Sequence, residues 1–142
     1  MAKERFKTCV SSYLILRDKE KVLLSLRGNT GYKDGYWGLV SGHVEKGESA
    51  KEAIVREAHE EAGLILDPKN LKFVTIMHRK SERENIDIFF ETDKYKGEII
   101  NKEPHKIEKL EFFHVNSMPS NLIDYIHRVF MEEKYYFELG WS

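Results

Sequence analysis

Arg56-Glu57-Ala58-His59-Glu60-Glu61-Ala62-Gly63 decides how this chain is read. Three glutamates fall at spacings of three and four, so a helix brings them together. Glu57 and Glu61 form an i,i+4 like-charge pair, which costs an isolated helix roughly 0.2–0.5 kcal/mol. A divalent cation is the obvious compensation. Just upstream lies Ser41-Gly42-His43-Val44-Glu45-Lys46-Gly47-Glu48, which adds glycines and a further glutamate. The two stretches together suggest a metal-dependent phosphate site.

The helix has legible ends. Ser49 can cap it, and Glu52 three residues on completes a capping box. Gly63 is a natural C-terminal stop. At about 100° per residue, Ala50, Ile54 and Ala58 gather on one side, with Ala53 beside them. Lys51, Glu52, Arg56 and His59 point elsewhere. Glu57 and Glu61 fall within the alanine–isoleucine sector, and Glu60 lies at its edge. A charge run on a helix is ordinarily a solvated face. Here two carboxylates share the packing side, and half-buried carboxylates need partners or a metal.

The rest of the chain supplies a frame. Its 142 residues, 41% hydrophobic and 33% charged, suit a single domain over residues 1–142 with a real core. The formal net charge of −1 argues against a nucleic-acid polymer as partner, since such domains are usually strongly basic. It leaves a small nucleotide open, because a bound metal supplies positive charge locally. The single cysteine, Cys9, forms no internal disulfide and reads as a buried strand thiol. No apolar run approaches the ~18–20 residues of a membrane span. The start, Met1-Ala2-Lys3-Glu4-Arg5-Phe6-Lys7, lacks the apolar segment of a secretory leader, so a cytoplasmic location is expected.

Strands are expected at Thr8 to Arg17 and Val22 to Arg27, joined as a hairpin by Asp18-Lys19-Glu20-Lys21. Gly28 to Gly35 reads as a loop, and Tyr36 to Val40 as a short apolar piece leading into the glycine segment. Further strands are expected at Leu71 to His78, Ile86 to Thr92 and Leu110 to Val115, with a polar turn over Ser81 to Asn85. A final helix is expected from Pro119 or Ser120 to about Glu133, its apolar residues Leu122, Ile123, Ile126, Val129 and Phe130 recurring at helical spacing. The aromatic tail Tyr135 to Trp141 would cover the core or form a dimer contact. This order predicts an α/β fold with a mixed β-sheet packed between helices.

The glycine and glutamate spacing resembles the Nudix hydrolase signature: Gly, five free positions, Glu, seven free positions, then Arg-Glu-U-x-Glu-Glu-x-Gly-U, where U is apolar. Gly42, Glu48 and the run from Arg56 to Leu64 match every fixed position, with Ala58 a small choice for U. The resemblance implies a Nudix-type α/β/α sandwich and hydrolysis of a nucleoside diphosphate linked to another group. It also implies Mg²⁺, with Mn²⁺ as a substitute, since glutamate oxygens are hard ligands. Glu57 and Glu61 would be the principal metal ligands, Glu60 a third, and the Gly42 carbonyl a further one. Arg56 would pair with Glu48 and orient the loop on the helix. Glu103, before the Leu110 strand, is the candidate late acid, as metal ligand or general base; Glu60 and Glu61 stay open as the base.

The partner implied is a small-molecule nucleotide, with no membrane, and with the protein as a monomer or homodimer. ADP-ribose hydrolases of the family typically carry a proline about sixteen residues past the box, where this chain has Arg79 and Lys80. Dinucleoside polyphosphate hydrolases often carry a tyrosine there, and the coenzyme A signature is not recognisable. Arg27, ending the second strand, and Asn121, after Met118-Pro119-Ser120, resemble substrate residues of MutT-type enzymes. They favour hydrolysis of a nucleoside triphosphate to a monophosphate and pyrophosphate. Tyr36, Trp37 and Phe112 could stack on a base, although core packing suits most of them better. The segment Val40-Ser41-Gly42 departs from the family's usual Pro-Gly-Gly and would reshape the nucleotide pocket. The rivals are hydrolysis of a nucleotide sugar or other diphosphate compound, and a non-hydrolytic nucleotide-sensing module on the same fold.

Overall fold

A computed structural model describes residues 3–142. Met1 and Ala2, part of the stretch read for a leader, lie outside the described residues. Among the described residues no helix is long and apolar enough to cross a membrane.

The centre of the fold is β1 (Cys9–Asp18). It runs parallel to β6 (Glu84–Thr92) and antiparallel to β4 (Val40–His43). At its end it turns into β2 (Lys21–Arg27) through the expected hairpin. β2 carries β3 (Trp37–Gly38) and β7 (Ile107–His114). On the other side, β5 (Lys72–Lys80) pairs antiparallel with β6, and β8 (Tyr136–Leu139) adds in parallel to β5. The eight-stranded sheet is mixed, as expected.

Both faces of β1 are covered, which explains its nearly continuous apolar run. Leu14 and Leu16 join Val40, Phe90 and the residues Ile54, Ala58 and Ala62 of α1 (Ala50–Ala62). Tyr13 and Ile15 join Trp37, Met77, Phe89 and the residues Ile126 and Val129 of α2 (Asp124–Met131). The α/β/α layering follows from that alternation.

The first helix forms as its sequence dictates. The Ser49 side chain accepts from the Glu52 backbone N–H, and the Glu52 side chain accepts from the Ser49 N–H. Gly63 closes the helix at φ 72°, a conformation that favours glycine.

Two expectations need correction. The last helix begins at Asp124, not at Pro119 or Ser120, and ends at Met131. The Asn121 carbonyl accepts from the Trp37 N–H, and the Ile123 N–H donates to the Trp37 carbonyl. These bonds hold the approach to α2 as an extended segment beside β3. Val40–His43, at the start of the glycine segment, is a strand, because β1 offers it an edge. The aromatic tail does cover the core, as β8, with Phe137 buried. Asn85, assigned to a turn by its polarity, is instead a buried residue of β6.

Candidate active site

α1 leaves β4 through the loop at Val44 to Ser49 and packs back on β4 and β1. That return brings the box carboxylates over the strand that carries Gly42. The Glu57 carboxylate lies so close to Gly42 that a Cβ there would stand 2.2 Å from its Cδ and 2.3 Å from Oε1. Gly42 is therefore a matter of space: any side chain would displace Glu57.

Arg56 binds this assembly together. Its Nη2 and Nε donate to the two Glu48 oxygens at 2.8 and 3.1 Å, the fork-to-fork geometry expected of an orienting pair. Nη1 donates to Glu57 Oε1 at 2.7 Å, and Nη2 also reaches the His43 carbonyl at 3.1 Å. One guanidinium thus ties the loop, the helix and the end of β4. The Arg56 bond holds the Glu48 carboxyl below its usual range, helped by the Glu45 backbone N–H. Glu48 in turn, with Glu57, raises the basicity of Arg56.

Glu61 sits deeper. Burial first, then a hydrogen bond with Glu57 and the charges of Glu57 and Glu103, push its carboxyl up to about 10; Arg27 opposes this. A hydrogen bond between two carboxyl groups needs a shared proton. A cation among the same oxygens would take that proton's place. The donors that meet here are all hard oxygens, which suits Mg²⁺ or Mn²⁺ and not zinc. Among the described residues, no three His, Cys, Asp or Glu side chains already converge as a cation cage. The carboxylate pair with Gly42 fits a divalent ion; further ligands would have to turn in.

The other expected residues are sorted by the fold. Glu103 lies within electrostatic range of Glu61. Its loop is built to hold it there: the Glu103 N–H donates to Asn101 Oδ1, its carbonyl accepts from Lys106 and Ile107, and the Lys102 N–H donates to the Glu61 carbonyl. Glu60 shares the Arg56 Nη1 donor with Glu57 and lies farther toward solvent. Its side chain is 53% exposed and leans on Arg56 at 3.3 Å. Arg27 donates from Nε to the Tyr32 carbonyl at 2.8 Å and lines a cavity of about 730 Å³ beside the box. Asn121 stands outside that lining. Its Nδ2 donates to the Gly35 carbonyl at 2.8 Å, so it pins the loop before β3. Tyr36, Trp37 and Phe112 are also outside the lining; Trp37 packs edge-on against Phe113 in the core.

Sequence reasoning missed the cavity's own residues. The aromatic lining is Tyr13, Tyr32 and Tyr125, whose hydroxyls meet at 3.4 and 3.2 Å. Burial keeps the Tyr13 and Tyr125 phenols protonated well above their ordinary range. Arg79 lies over the Tyr125 ring at 4.0 Å and donates from Nε to Asp87 at 2.8 Å. Burial opposes the Arg79 charge, and the Asp87 carboxylate more than offsets it. Ser11, Asn85 and Asp87 complete a buried polar patch. A signal was present: at the same face of β1, β5 and β6, the apolar alternation breaks into Ser11, Arg79, Asn85 and Asp87 toward one end.

Comparison with known proteins agrees with this geometry. The family model described as the NUDIX domain matches residues 6–133. A protein named ADP-ribose pyrophosphatase, from Methanocaldococcus jannaschii, is 37% identical over 112 residues, covering 78% of this chain. The match spans 64% of that relative's length. The crystal structure of a MutT NUDIX hydrolase from Burkholderia pseudomallei superposes with a TM-score of 0.82 at 20% identity, covering 91% of this chain and 100% of the other. A MutT protein from Bacillus halodurans gives 0.71 at 22% identity, over 90% and 86%.

Proposed function

The chain belongs to the Nudix family, and from that premise we propose that it hydrolyses the diphosphate linkage of a nucleoside diphosphate derivative with the help of Mg²⁺. The observation that carries this reading is the Glu57–Glu61 pair over Gly42, opening beside a cavity with cationic Arg27 and Lys106 on its lining.

Glu57, Glu61 and the Gly42 carbonyl would hold the cation, with Glu103 turning in from its loop. A bound divalent ion neutralises phosphate oxygens and makes a coordinated water more acidic. The chain's own residues do the rest. Arg56 fixes Glu57 against Gly42. Arg27 and Lys106 face the phosphate chain. Glu103 accepts the proton of the attacking water while the bridging P–O bond breaks and its oxygen leaves with the other phosphate. A triphosphate cut at the bond next to the nucleoside phosphate yields a monophosphate and pyrophosphate.

Two substrate readings stand. Arg27 on the cavity supports a nucleoside triphosphate. The 37% identical relative, by its name, favours ADP-ribose and counts against excluding that substrate on a missing proline. A panel of triphosphates, ADP-ribose and nucleotide sugars with Mg²⁺, scored by chromatography of the products, separates them. Glu57→Gln and Glu61→Gln should each lower turnover by orders of magnitude with an unchanged unfolding temperature. Undiminished turnover in both refutes the assignment. Tight binding without turnover across the panel would favour the sensing module, a reading that the retained box carboxylates weigh against.

A further inference from the structure

We propose that Asn85 is a specificity-determining residue: with Ser11 it reads the hydrogen-bonding edge of the substrate's nucleobase at the inner end of the cavity. The inference rests on the diphosphate-hydrolase reading of the neighbouring carboxylates and adds the substrate's other end.

Hydrogen-bond accounting carries it. Asn85 is 3% exposed and lines the cavity. Its Nδ2 donates to Asp87 Oδ1 and to Ser11 Oγ, both at 2.9 Å, so both amide hydrogens are committed. The orientation is not arbitrary. Asp87 is fully buried, and its oxygens accept from Arg79 Nε and face the NH2 end of the Asn85 amide, where the amide carbonyl would meet oxygen against oxygen. The amide therefore cannot turn over, and its carbonyl oxygen accepts nothing among the described residues. The Ser11 hydroxyl, having accepted from Asn85, donates to none of them. A carbonyl acceptor and a hydroxyl donor thus lie side by side on the cavity lining with no protein partner among the described residues, free to pair with a ligand.

The complement is a group with an N–H next to an acceptor, which is how a nucleobase edge is built. Phosphate does not suit this end: ionised, it offers acceptors and no donor, and it would meet the Asn85 carbonyl with the Asp87 carboxylate behind. Phosphate suits Arg27 and the region of Lys106, whose carbonyl is bonded to the Gly28 N–H. The walls suit a flat ring. Tyr13, stacked on Phe89, and Tyr125, held under Arg79, stand with Leu39 and Ile126 around the same space. Arg79 and Asp87 act as positioning residues, because their ion pair sets which end of the Asn85 amide faces the ligand.

Calorimetric titration of the whole protein with the four nucleoside 5′-monophosphates and with ribose 5-phosphate, in Mg²⁺, tests this. The wild type should bind at least one nucleotide more tightly than ribose 5-phosphate by about tenfold or more, the effect of one or two well-made hydrogen bonds. Asn85→Leu should bring that nucleotide to the level of ribose 5-phosphate and leave ribose 5-phosphate within twofold. Ser11→Ala, a smaller change, should remove part of the preference in the same direction. Thermal unfolding of each variant verifies the fold, and Ser11→Ala decides if Asn85→Leu does not fold. An unmoved base preference in a folded variant overturns the inference. So does an equal loss of affinity for ribose 5-phosphate. Turnover measured in parallel keeps the two readings apart: base-dependent binding without hydrolysis refutes only the hydrolase reading, and hydrolysis with an unmoved base preference refutes only the role of Asn85.

Discussion

Replacing Gly42 by alanine tests the site through one methyl group. The new Cβ would stand 2.2 Å from Glu57 Cδ, whereas ordinary contact begins at 3.4 Å. The carboxylate must therefore retreat by about the 1.2 Å between those values. It cannot do so freely, because Arg56 Nη1 holds its Oε1 at 2.7 Å and the same guanidinium is clamped by Glu48. A misplacement of about 1 Å costs on the order of 10²-fold in rate, or about 2.7 kcal/mol of barrier. Stability should hardly move, since alanine in place of glycine restricts the unfolded chain by about 0.4–1 kcal/mol in the opposite sense. The assay is kcat/KM on the best substrate of the panel, with a Mg²⁺ titration and a thermal melt of each protein. Gly42→Ala should lose about a hundredfold in kcat/KM and require more Mg²⁺, with an unfolding temperature near that of the wild type. Adding Glu57→Asp, one methylene shorter, should restore part of the loss. If Gly42→Ala keeps both kcat/KM and Mg²⁺ requirement within twofold, the Glu57–Gly42 contact does not organise the site and the argument fails.

Three further outcomes are expected. Because the folded protein holds Glu61 up to about 10 against an ordinary 4.5, the native state keeps a proton that the unfolded chain releases, and metal-free stability should fall as pH rises between those values. Mg²⁺ competes with that proton, so the increase in unfolding temperature on adding Mg²⁺ should be larger at pH 9 than at pH 6; equal increases would refute the linkage. Arg56→Lys exchanges a planar fork for a point charge that cannot hold Glu48 and Glu57 together. It should weaken Mg²⁺ affinity about tenfold or more, as read by calorimetry. Ser49→Ala removes the cap of α1 at a cost of about 1 kcal/mol. Its melt should drop about 3–5 °C, with kcat unchanged.

The legible part of this protein is the part built from neighbours in sequence. A capping box, a C-terminal glycine and a helix of known pitch are local, so the span of α1 follows from spacing, while the Arg56–Glu48 pairing was implied by the resemblance to the Nudix signature. Glu57 and Glu61 could be placed on the packing side before any tertiary contact was known. Glu60 was read at the edge of that sector; its contact with Arg56 is a local i,i+4 pair, and the docking of α1 on β4 leaves its side chain half exposed. The start of the last helix was misplaced for a long-range reason: Pro119 and Ser120 suited a helix start, and Trp37, far away in sequence, captured the backbone of Asn121 and Ile123.

The cavity belongs wholly to the tertiary structure. Ser11, Arg79, Asn85 and Asp87 come from three strands, and each is an ordinary polar residue in its own stretch. Register makes them a unit: β1 beside β6 sets Ser11 opposite Asp87, and β5 beside β6 sets Arg79 opposite Asn85. The chain's sequence determined the carboxylate-bearing helix, because helical geometry repeats within a few residues. The polar arrangement on the cavity was decided by strand pairing, which sets the β5–β6 hairpin beside β1 and so joins Asn85 to Ser11, 74 positions away.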